Sequence, residues 1–228
     1  MIGKRRLFWA LAAVCAAASV PPAVSAQTTP TPRFVVVLDA AHGGDDPGAR
    51  LTSGQLEKTV TLALSVRLRS LLAARGMQVV TTRESDSTVD PNRRAEIANH
   101  ANAQVCLSLH ATESGSGAHL YASSMAPAQS TGFIAWKTAQ SAWVTSSLRL
   151  SGVLNSALSH AGISVILGRT ALPAIESMTC PAVAVEIAPE RDSDSAISAE
   201  PDDVAYQARV ASALAAAVVQ WRTEAHQP

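Results

Sequence analysis

The fold of this chain is decided by the stretch FVVVLDAAHGGDDPG, which occupies residues 34–48. Its first five residues, 34–38, are apolar and mostly favour β structure, so they predict a buried strand. The strand leads into a turn of small residues, and His42 lies at the tip of that turn. A buried strand that carries a histidine onto a glycine-rich loop is well suited to hold a metal ligand still. The stretch therefore makes His42 the first candidate metal ligand.

The composition is that of one ordinary globular domain. The chain has 228 residues, a formal net charge of zero and 47% hydrophobic residues, which excludes a disordered chain. No acidic or basic excess points to nucleic acid, and aromatic residues make up only 4% of the chain, too few for a base-stacking surface. We therefore expect a globular protein that does not bind nucleic acid.

The first 26 residues have the pattern of a secretory signal peptide. Basic residues at positions 4–6 precede an apolar run over 7–20, and small residues up to Ala26 offer a cleavage site. An uncleaved membrane anchor is the alternative, but the apolar run is short for a membrane span. We predict a signal peptide over residues 1–26, a Thr/Pro linker over 27–33, and a periplasmic or secreted protein with no membrane segment after cleavage.

Two cysteines, Cys106 and Cys180, follow the predicted cleavage site. Outside the cytosol they could form a disulfide, but both lie in apolar contexts, so two buried free thiols are an equal alternative. Neither has the CxxC partner that a cysteine zinc site requires. The sequence leaves the pairing open and excludes a zinc site made by these cysteines alone.

Strand and helix patterns alternate along the rest of the chain. Strands are predicted over residues 34–38, 77–82, 105–109, 119–121, 165–167 and 182–187. Helices are predicted over residues 56–74, 93–101, 147–161 and 201–221. This alternation implies parallel strands joined by crossover helices. We expect an α/β fold in a single domain over residues 34–222, with a twisted, mostly parallel sheet of about six strands flanked by helices and a loose tail over 223–228.

Four residues stand where an α/β fold collects functional groups, beyond or near the carboxyl ends of its strands. His42 and His110 each follow a predicted strand, and Glu57 lies in the first turn of the first predicted helix. Glu186 lies within the buried strand 182–187, where an isolated carboxylate would cost on the order of several kcal/mol unless it were paired or near a metal. Its presence there calls for a functional explanation.

Two imidazoles and one carboxylate are a recurrent ligand set for catalytic zinc, which keeps a fourth position open for water. His42, Glu57 and His110 supply such a set, and a further carboxylate, Glu186, could accept the proton of that water. Simpler roles stay open, because a histidine after a strand is often a hydrogen-bonding residue and a glutamate at a helix start is often solvated. The other histidines are interpreted as structural or solvated; they are His100, His119, His160 and His226.

Five motifs resemble, in order, those of the zinc-dependent N-acetylmuramoyl-L-alanine amidases, a family of bacterial cell-wall hydrolases. The motifs are LDAAHGGDDPGA over 38–49, EK at 57–58, TR at 82–83 with Asp86 and with Arg94 and IAN at 97–99, LSLHA over 107–111, and PAVAVE over 181–186. The similarity covers residues 34–221, which is nearly all of the expected mature chain.

The resemblance implies an enzyme that hydrolyses peptidoglycan. It makes His42, Glu57 and His110 the ligands of one zinc ion per chain, and it makes Glu186 the catalytic acid/base. The bond cleaved would be the amide between the lactyl group of N-acetylmuramic acid and the L-alanine of the stem peptide. Two other functions stay open: a non-catalytic peptidoglycan-binding module of the same fold, and a zinc peptidase that cuts within stem peptides.

Three places depart from the family pattern. Ala40-Ala41 stands where the family often has Pro-Gly, so an alanine is expected to take over a glycine's backbone conformation. Thr112 stands where Asn is usual, and residues 188–190 replace a Gly-Phe pair and a following Asn. None of these departures removes a candidate ligand, so they bear on substrate fit more than on catalysis.

The expected partners follow from the same resemblance. Peptidoglycan is the expected substrate, a protein activator is possible, and the chain is expected to act as a monomer. Some relatives carry an autoinhibitory helix, for which residues 134–144 are the candidate in this sequence. The pattern of that segment is ambiguous between a helix start and a mobile flap.

Overall fold

The computed structural model describes residues 33–128, 133–192 and 194–225 of the chain. The predicted signal peptide over 1–26 lies outside these residues, as do nearly all of the predicted linker and the last three residues of the chain. Among the described helices, none combines the length with the apolar character that a bilayer span requires.

One sheet organises the described part of the chain. Its strands are β1 Val35–Ala40, β2 Gln78–Thr81, β3 Val105–Ala111, β4 Ala118–Ser123, β5 Val165–Thr170 and β6 Ala182–Ile187. They lie in the order β2-β1-β3-β6-β4-β5, and every neighbouring pair is parallel except β4 and β6, which run antiparallel. The predicted α/β fold with a mostly parallel sheet is confirmed, with one reversal of direction that the sequence pattern did not reveal.

Helices flank the sheet. They are α1 Glu57–Ala73, α2 Pro91–His100, α3 Val144–His160, α4 Pro173–Glu176 and α5 Val204–Ala225. The four helices predicted from the sequence are all present with shifted ends, and α4 was not predicted. Because α5 runs to Ala225, the residues at 223–225 are helical although we expected a loose tail there.

Three further short elements were not predicted. Residues Trp136–Ala142 form a kinked 3-10 helix within the segment that was ambiguous in the sequence. Its fully buried Gln140 donates hydrogen bonds to the carbonyl oxygens of Met178 and Cys180, at 2.9 and 3.1 Å. The short strands β7 Glu190–Arg191 and β8 Ile197–Ala199 pair in an antiparallel ladder.

The sheet separates two hydrophobic cores. The larger core lies between the sheet and helices α1, α3 and α5, and fully buried leucines such as Leu64, Leu154 and Leu214 build it. The smaller core lies under α2 and α4 and includes Val37 and Ile175. Burial on both faces explains why the central strands read as continuous apolar runs in the sequence.

The smaller core marks the face of the sheet that carries the polar groups. Along β3, Leu107 lies in the larger core and Cys106 lies in the smaller one. Since successive side chains of a strand alternate between the two faces, Ser108 and His110 share the face of Cys106. The same alternation along β6 places Glu186 on that face too.

A disulfide joins Cys106 in β3 to Cys180, which lies just before β6. The Cα–Cα distance is 6.2 Å, and the two cysteines are 74 residues apart in sequence. This pairing decides between the two alternatives that the sequence left open. Constraining a loop of this length in the unfolded chain stabilises the fold by about 4 kcal/mol in the chain-entropy model.

Candidate active site

The chain turns sharply after β1, at the first candidate ligand. His42 has a φ of +61°, in the left-handed region that is uncommon for residues other than glycine. Gly43 and Gly44 continue the turn with φ values of +128° and +59°. The turn is closed by Gly43 and Asp46, whose backbone groups exchange hydrogen bonds of 2.8 and 3.2 Å.

The unusual backbone conformation thus falls on the histidine and not on the alanines before it. Ala40 and Ala41 keep φ values outside the left-handed region, and both are buried. Neither alanine therefore adopts a conformation that requires glycine. The two alanines extend the packed end of β1, and His42 carries the turn.

Two buried arginines hold the backbone of this turn. Arg94, in α2, donates to the carbonyl oxygens of Ala40 and His42 at 2.7 and 2.8 Å. Arg83 donates to the carbonyl oxygens of Ala40 and Ala41 at 2.9 and 3.0 Å. Hydrogen bonds from charged donors are stronger than those between neutral groups, so these contacts fix the path of the chain on which His42 stands.

Asp39 is the buried counter-charge beneath the turn. Its carboxylate accepts hydrogen bonds from Arg94 at 2.6 Å, from Thr82 at 2.7 Å and from Ser108 at 2.8 Å. The Ser108 hydroxyl oxygen also lies 3.4 Å from Nε2 of His110. A continuous set of buried polar contacts therefore connects the strand that carries His42 with the strand that carries His110.

His42, Glu57 and His110 converge at the carboxyl edge of the sheet. His42 Nε2 lies 3.1 Å from Glu57 Oε2, and His110 Nδ1 lies 3.1 Å from Glu57 Oε1. One donor atom from each residue falls within 4.8 Å of the other two, so small side-chain adjustments would let all three engage one ion. Two imidazole nitrogens and a carboxylate oxygen suit a first-row divalent metal. The cluster is therefore able to hold a metal ion.

Each histidine ring is oriented through the nitrogen that does not face Glu57. His42 Nδ1 lies 2.8 Å from Asp46 Oδ2, and His110 Nε2 lies 3.4 Å from the Ser108 hydroxyl oxygen. A proton on each of these nitrogens leaves the opposite nitrogen free to bind a metal. The hydrogen bond with Glu57 raises the pKa of His42, burial opposes that rise, and the contact with Asp46 adds to it.

Glu57 is the buried member of the cluster. Its Oε2 accepts a hydrogen bond from the backbone N–H of Ala49 at 2.9 Å, and its Oε1 accepts one from Ala111 at 3.2 Å. Burial by itself would raise the pKa of Glu57, but the hydrogen bonds with His110, His42 and the Ala49 amide outweigh it. Together they hold the pKa of Glu57 well below its usual range, so the residue is an anion.

Glu186 lies beside this cluster on the neighbouring strand. In the parallel ladder between β3 and β6, Glu186 is the register partner of His110, and the two side chains share a face of the sheet. Glu186 does not belong to the group of three that could hold an ion. Its side chain is 28% exposed, so solvent can reach it. The structure thus brings the four predicted residues to one edge of the sheet.

Glu186 has a partner that sequence reasoning missed. His119 Nδ1 lies 2.8 Å from Glu186 Oε2, and the two residues pair across the antiparallel strands β4 and β6. The expectation that His119 is structural or solvated is incomplete, and no local sequence signal could have shown that β4 lies antiparallel beside β6. His100 and His160 lie at exposed helix ends, as expected, and His226 lies outside the described residues.

A cavity of about 260 Å³ opens beside the cluster. Its polar lining residues include Asp39, His42 and His110. Its apolar lining residues include Val89, Pro91, Leu172, Pro173, Ala174 and Ile175. Three of these belong to α4, which was not predicted. The cavity offers a small group both an apolar surface and direct access to the cluster.

The fold and the site define an α/β protein with a candidate metal centre at the carboxyl edge of its sheet. Residues 36–220 match the family model described as N-acetylmuramoyl-L-alanine amidase. Because this match spans most of the chain, the chain belongs to the N-acetylmuramoyl-L-alanine amidase family. The resemblance carried by the five motifs is thereby confirmed.

Curated relatives match over shorter stretches. The N-acetylmuramoyl-L-alanine amidase AmiA of Escherichia coli strain K12 is 42% identical over 77 residues, which are 34% of this chain and 27% of that protein. The sporulation-specific N-acetylmuramoyl-L-alanine amidase of Bacillus subtilis strain 168 is 38% identical over 82 residues, 35% of this chain and 32% of that protein. The chain spans about a third or less of the length of these relatives.

Solved amidase structures share the fold. The catalytic domain of CwlV from Bacillus (Paenibacillus) polymyxa has a TM-score of 0.65 and 25% identity, covering 83% of this chain and 98% of that one. Ami1 from Mycobacterium smegmatis has a TM-score of 0.66 and 20% identity, covering 84% and 97%. The amidase CwlD from Clostridioides difficile, solved in complex with the GerS lipoprotein, has a TM-score of 0.63 and 20% identity, covering 84% and 99%.

Proposed function

We propose that this chain is a zinc-dependent N-acetylmuramoyl-L-alanine amidase that removes stem peptides from peptidoglycan. The observation that carries the proposal is the convergence of His42, Glu57 and His110, with Glu186 on the adjacent strand, in a chain of this family. The bond to be hydrolysed is the amide between the lactyl group of N-acetylmuramic acid and L-alanine.

His42, Glu57 and His110 would hold one zinc ion per chain. When bound, zinc supplies Lewis acidity at the amide carbonyl and lowers the pKa of water from its bulk value to about 7. The chain prepares the site, since Asp46 and Ser108 face the outer nitrogens of the two imidazoles. The backbone N–H groups of Ala49 and Ala111 hold the Glu57 carboxylate in place. Its lowered pKa keeps it ionised.

Glu186 would act as the acid/base. Its carboxylate takes a proton from the attacking water while the water oxygen bonds to the amide carbon. It then gives that proton to the L-alanine nitrogen as the C–N bond breaks, so the products are a lactyl carboxylate and a stem peptide with a free amino terminus. The partial exposure of Glu186 and its place beside His110 support this role.

We further propose a periplasmic or secreted location, with residues 34–222 as the catalytic domain and the mature chain a monomer. The Cys106–Cys180 disulfide supports export, because structural disulfides persist mainly in oxidising compartments, and so does the signal-peptide pattern over residues 1–26. We also propose a protein activator as a partner; the structure of the CwlD amidase in complex with the GerS lipoprotein supports a protein partner. Residues 134–144 remain our candidate for an autoinhibitory element.

Digestion of purified peptidoglycan sacculi by the mature protein tests the proposed bond. We expect mass spectrometry to find stem peptides that begin with a free L-alanine and glycan strands that keep the lactyl carboxylate. Cuts within the stem peptide would instead indicate a zinc peptidase. Sedimentation with sacculi and no soluble products would indicate a binding module, and either result would overturn the proposal.

The Glu186→Gln variant tests the assigned acid/base. We expect kcat on sacculi to fall by roughly 10²- to 10⁴-fold, the usual contribution of general acid–base catalysis, while the zinc content measured by mass spectrometry stays at one per chain. The matched control is Glu113→Gln, an exposed glutamate in the loop after β3, which should keep full activity. A fully active Glu186→Gln protein would exclude this residue from the chemistry.

A further inference from the structure

We infer that His119 is a positioning residue for Glu186, which holds one carboxylate oxygen so that the other is free to exchange protons. The inference rests on the proposed acid/base role of Glu186. It starts from one contact, in which His119 Nδ1 lies 2.8 Å from Glu186 Oε2. Within the described residues no hydrogen bond engages Oε1 of Glu186, so the contact distinguishes the two oxygens of the carboxylate.

The burial of His119 indicates which atom carries the proton. The residue is 6% exposed, and among the described residues nothing accepts from or donates to its buried Nε2. A proton on Nε2 would bury an unpaired N–H donor and would leave Nδ1 unable to donate to the carboxylate. The tautomer with the proton on Nδ1 alone avoids both penalties and leaves Nε2 as an acceptor with no partner among the described residues. His119 therefore donates a hydrogen bond from Nδ1 to Oε2 of Glu186.

The ring of His119 is clamped in this orientation. Gly115, with a φ of +84°, packs so close that an added Cβ would come within 2.6 Å of the Cε1 and Nε2 atoms of the ring. Tyr121 meets the ring edge to face, with a centroid separation of 6.3 Å and an interplanar angle of 77°. These contacts hold the plane of the ring, and the hydrogen bond with Glu186 favours the ring flip in which Nδ1 faces the carboxylate.

The sheet places the three polar side chains in one row. His110 on β3 is the register partner of Glu186 on β6, and Glu186 is the register partner of His119 on β4. Glu186 thus lies between a candidate metal ligand and a buried hydrogen-bond donor. In this row His119 stabilises the Glu186 carboxylate before the reaction. It also keeps the carboxyl group in the same orientation when Oε1 takes up the proton.

A comparison of His119→Asn with His119→Gln tests the inference. The Asn amide can place an N–H group near the position of Nδ1, whereas the Gln amide reaches toward the position of Nε2. We expect His119→Gln to lower kcat by about tenfold or more, the fold-change that corresponds to losing one hydrogen bond to a charged group, with KM and zinc content unchanged. We expect His119→Asn to recover at least half of the wild-type kcat.

His119→Phe keeps the ring and removes both nitrogens, and it should match His119→Gln. The control is His160→Asn at the exposed end of α3, which should leave all parameters unchanged. Equal kcat values for the Asn and Gln variants, or a loss confined to zinc content or melting temperature, would overturn the positioning role. If His119→Phe does not fold, the Asn and Gln pair still decides.

Glu186→Gln separates this inference from the proposed function. If Glu186→Gln is inactive and His119→Gln is fully active, only the role of His119 fails. If Glu186→Gln is itself fully active, the acid/base assignment fails and the role of His119 fails with it. In the double variant we expect no further loss beyond that of Glu186→Gln, because both changes act on the same carboxylate.

Discussion

Glu57 is the residue on which both candidate ligand histidines converge. Each of its oxygens meets one imidazole and one backbone N–H group. An isolated buried carboxylate would tend to take up a proton, but here the hydrogen bonds with the imidazoles and amides outweigh burial and lower its pKa. The negative charge that a divalent ion would need is therefore supplied and fixed by the protein itself.

Replacing that charge should weaken metal binding more than it weakens the fold. We expect Glu57→Gln, which keeps the size of the side chain, to lower zinc affinity by at least about tenfold. Competition with a coloured chelator measures the affinity, and Glu113→Gln is the exposed control. Unchanged zinc affinity in Glu57→Gln would remove this residue from the proposed ligand set.

The turn after β1 depends on α2, an element distant in sequence. Arg94 of α2 makes a buried ion pair with Asp39 and donates to the carbonyl oxygens of Ala40 and His42. The left-handed conformation of His42 persists because these contacts outweigh its local strain. A helix start on the opposite side of the turn thus positions the first candidate ligand.

The Arg94→Met variant should remove the ion pair with Asp39 and the hydrogen bonds that hold the turn. Removing one partner of a buried ion pair is destabilising by roughly 3–5 kcal/mol, so we expect a loss of that order in the free energy of unfolding, together with weaker zinc binding through His42. Chemical denaturation and chelator competition measure the two effects. Arg93→Met is the matched control, since the one ion pair of the Arg93 side chain with the described residues is an exposed pair with Glu96, which is worth about 1 kcal/mol or less. Equal stability of the two variants would contradict the assigned support.

The elements that could be predicted from the sequence are those whose pattern is local. The strand predicted over 182–187 has the same bounds as β6, because a strand covered on both faces reads as one apolar run. The helix α4 and the 3-10 helix were missed or ambiguous, because contacts such as those of Gln140 with distant carbonyl groups stabilise them. Tertiary contacts of this kind leave no trace in a short window of sequence.

The candidate site also combines features that a local sequence pattern predicts with features that depend on tertiary contacts. The four residues of the proposed chemistry follow from strand ends and family motifs, which are readable along the chain. Their supporting partners, such as Ser108 behind His110 and His119 beside Glu186, depend on which strands become neighbours. The order of strands in the sheet, and the reversal of β4 within it, are properties of the assembled fold and are not encoded in any one segment.

The disulfide closes a long loop of the chain. It connects β3 to the segment before β6 and so encloses β4, α3, β5 and α4 in one covalent loop. In the chain-entropy model the bond acts on the unfolded chain, and neither cysteine belongs to the group of three residues that could hold an ion. Its effect should therefore appear in global stability and not in metal affinity.

Denaturation with and without reductant tests the effect of the disulfide on global stability. We expect reduction of the unfolded wild-type chain to lower the free energy of unfolding by about 4 kcal/mol, while the Cys106→Ala/Cys180→Ala protein shows no response to reductant. The zinc affinity of the folded double variant should match that of the wild type. An unchanged denaturation midpoint after reduction of the wild type would contradict the stabilising role of the bond.

Because β4 runs antiparallel beside β6, the pairing register of β4 determines which residue faces Glu186. His119 faces the carboxylate, and the next residue, Leu120, packs into the larger core on the opposite face of the sheet. A slip of β4 by one residue would exchange these two side chains, so that a leucine met the carboxylate and a histidine entered the core. The insertion or deletion of a single residue between β3 and His119 that shifts the register of β4 would therefore remove the hydrogen bond between His119 and Glu186. It would do so without substituting any residue that contacts Glu186.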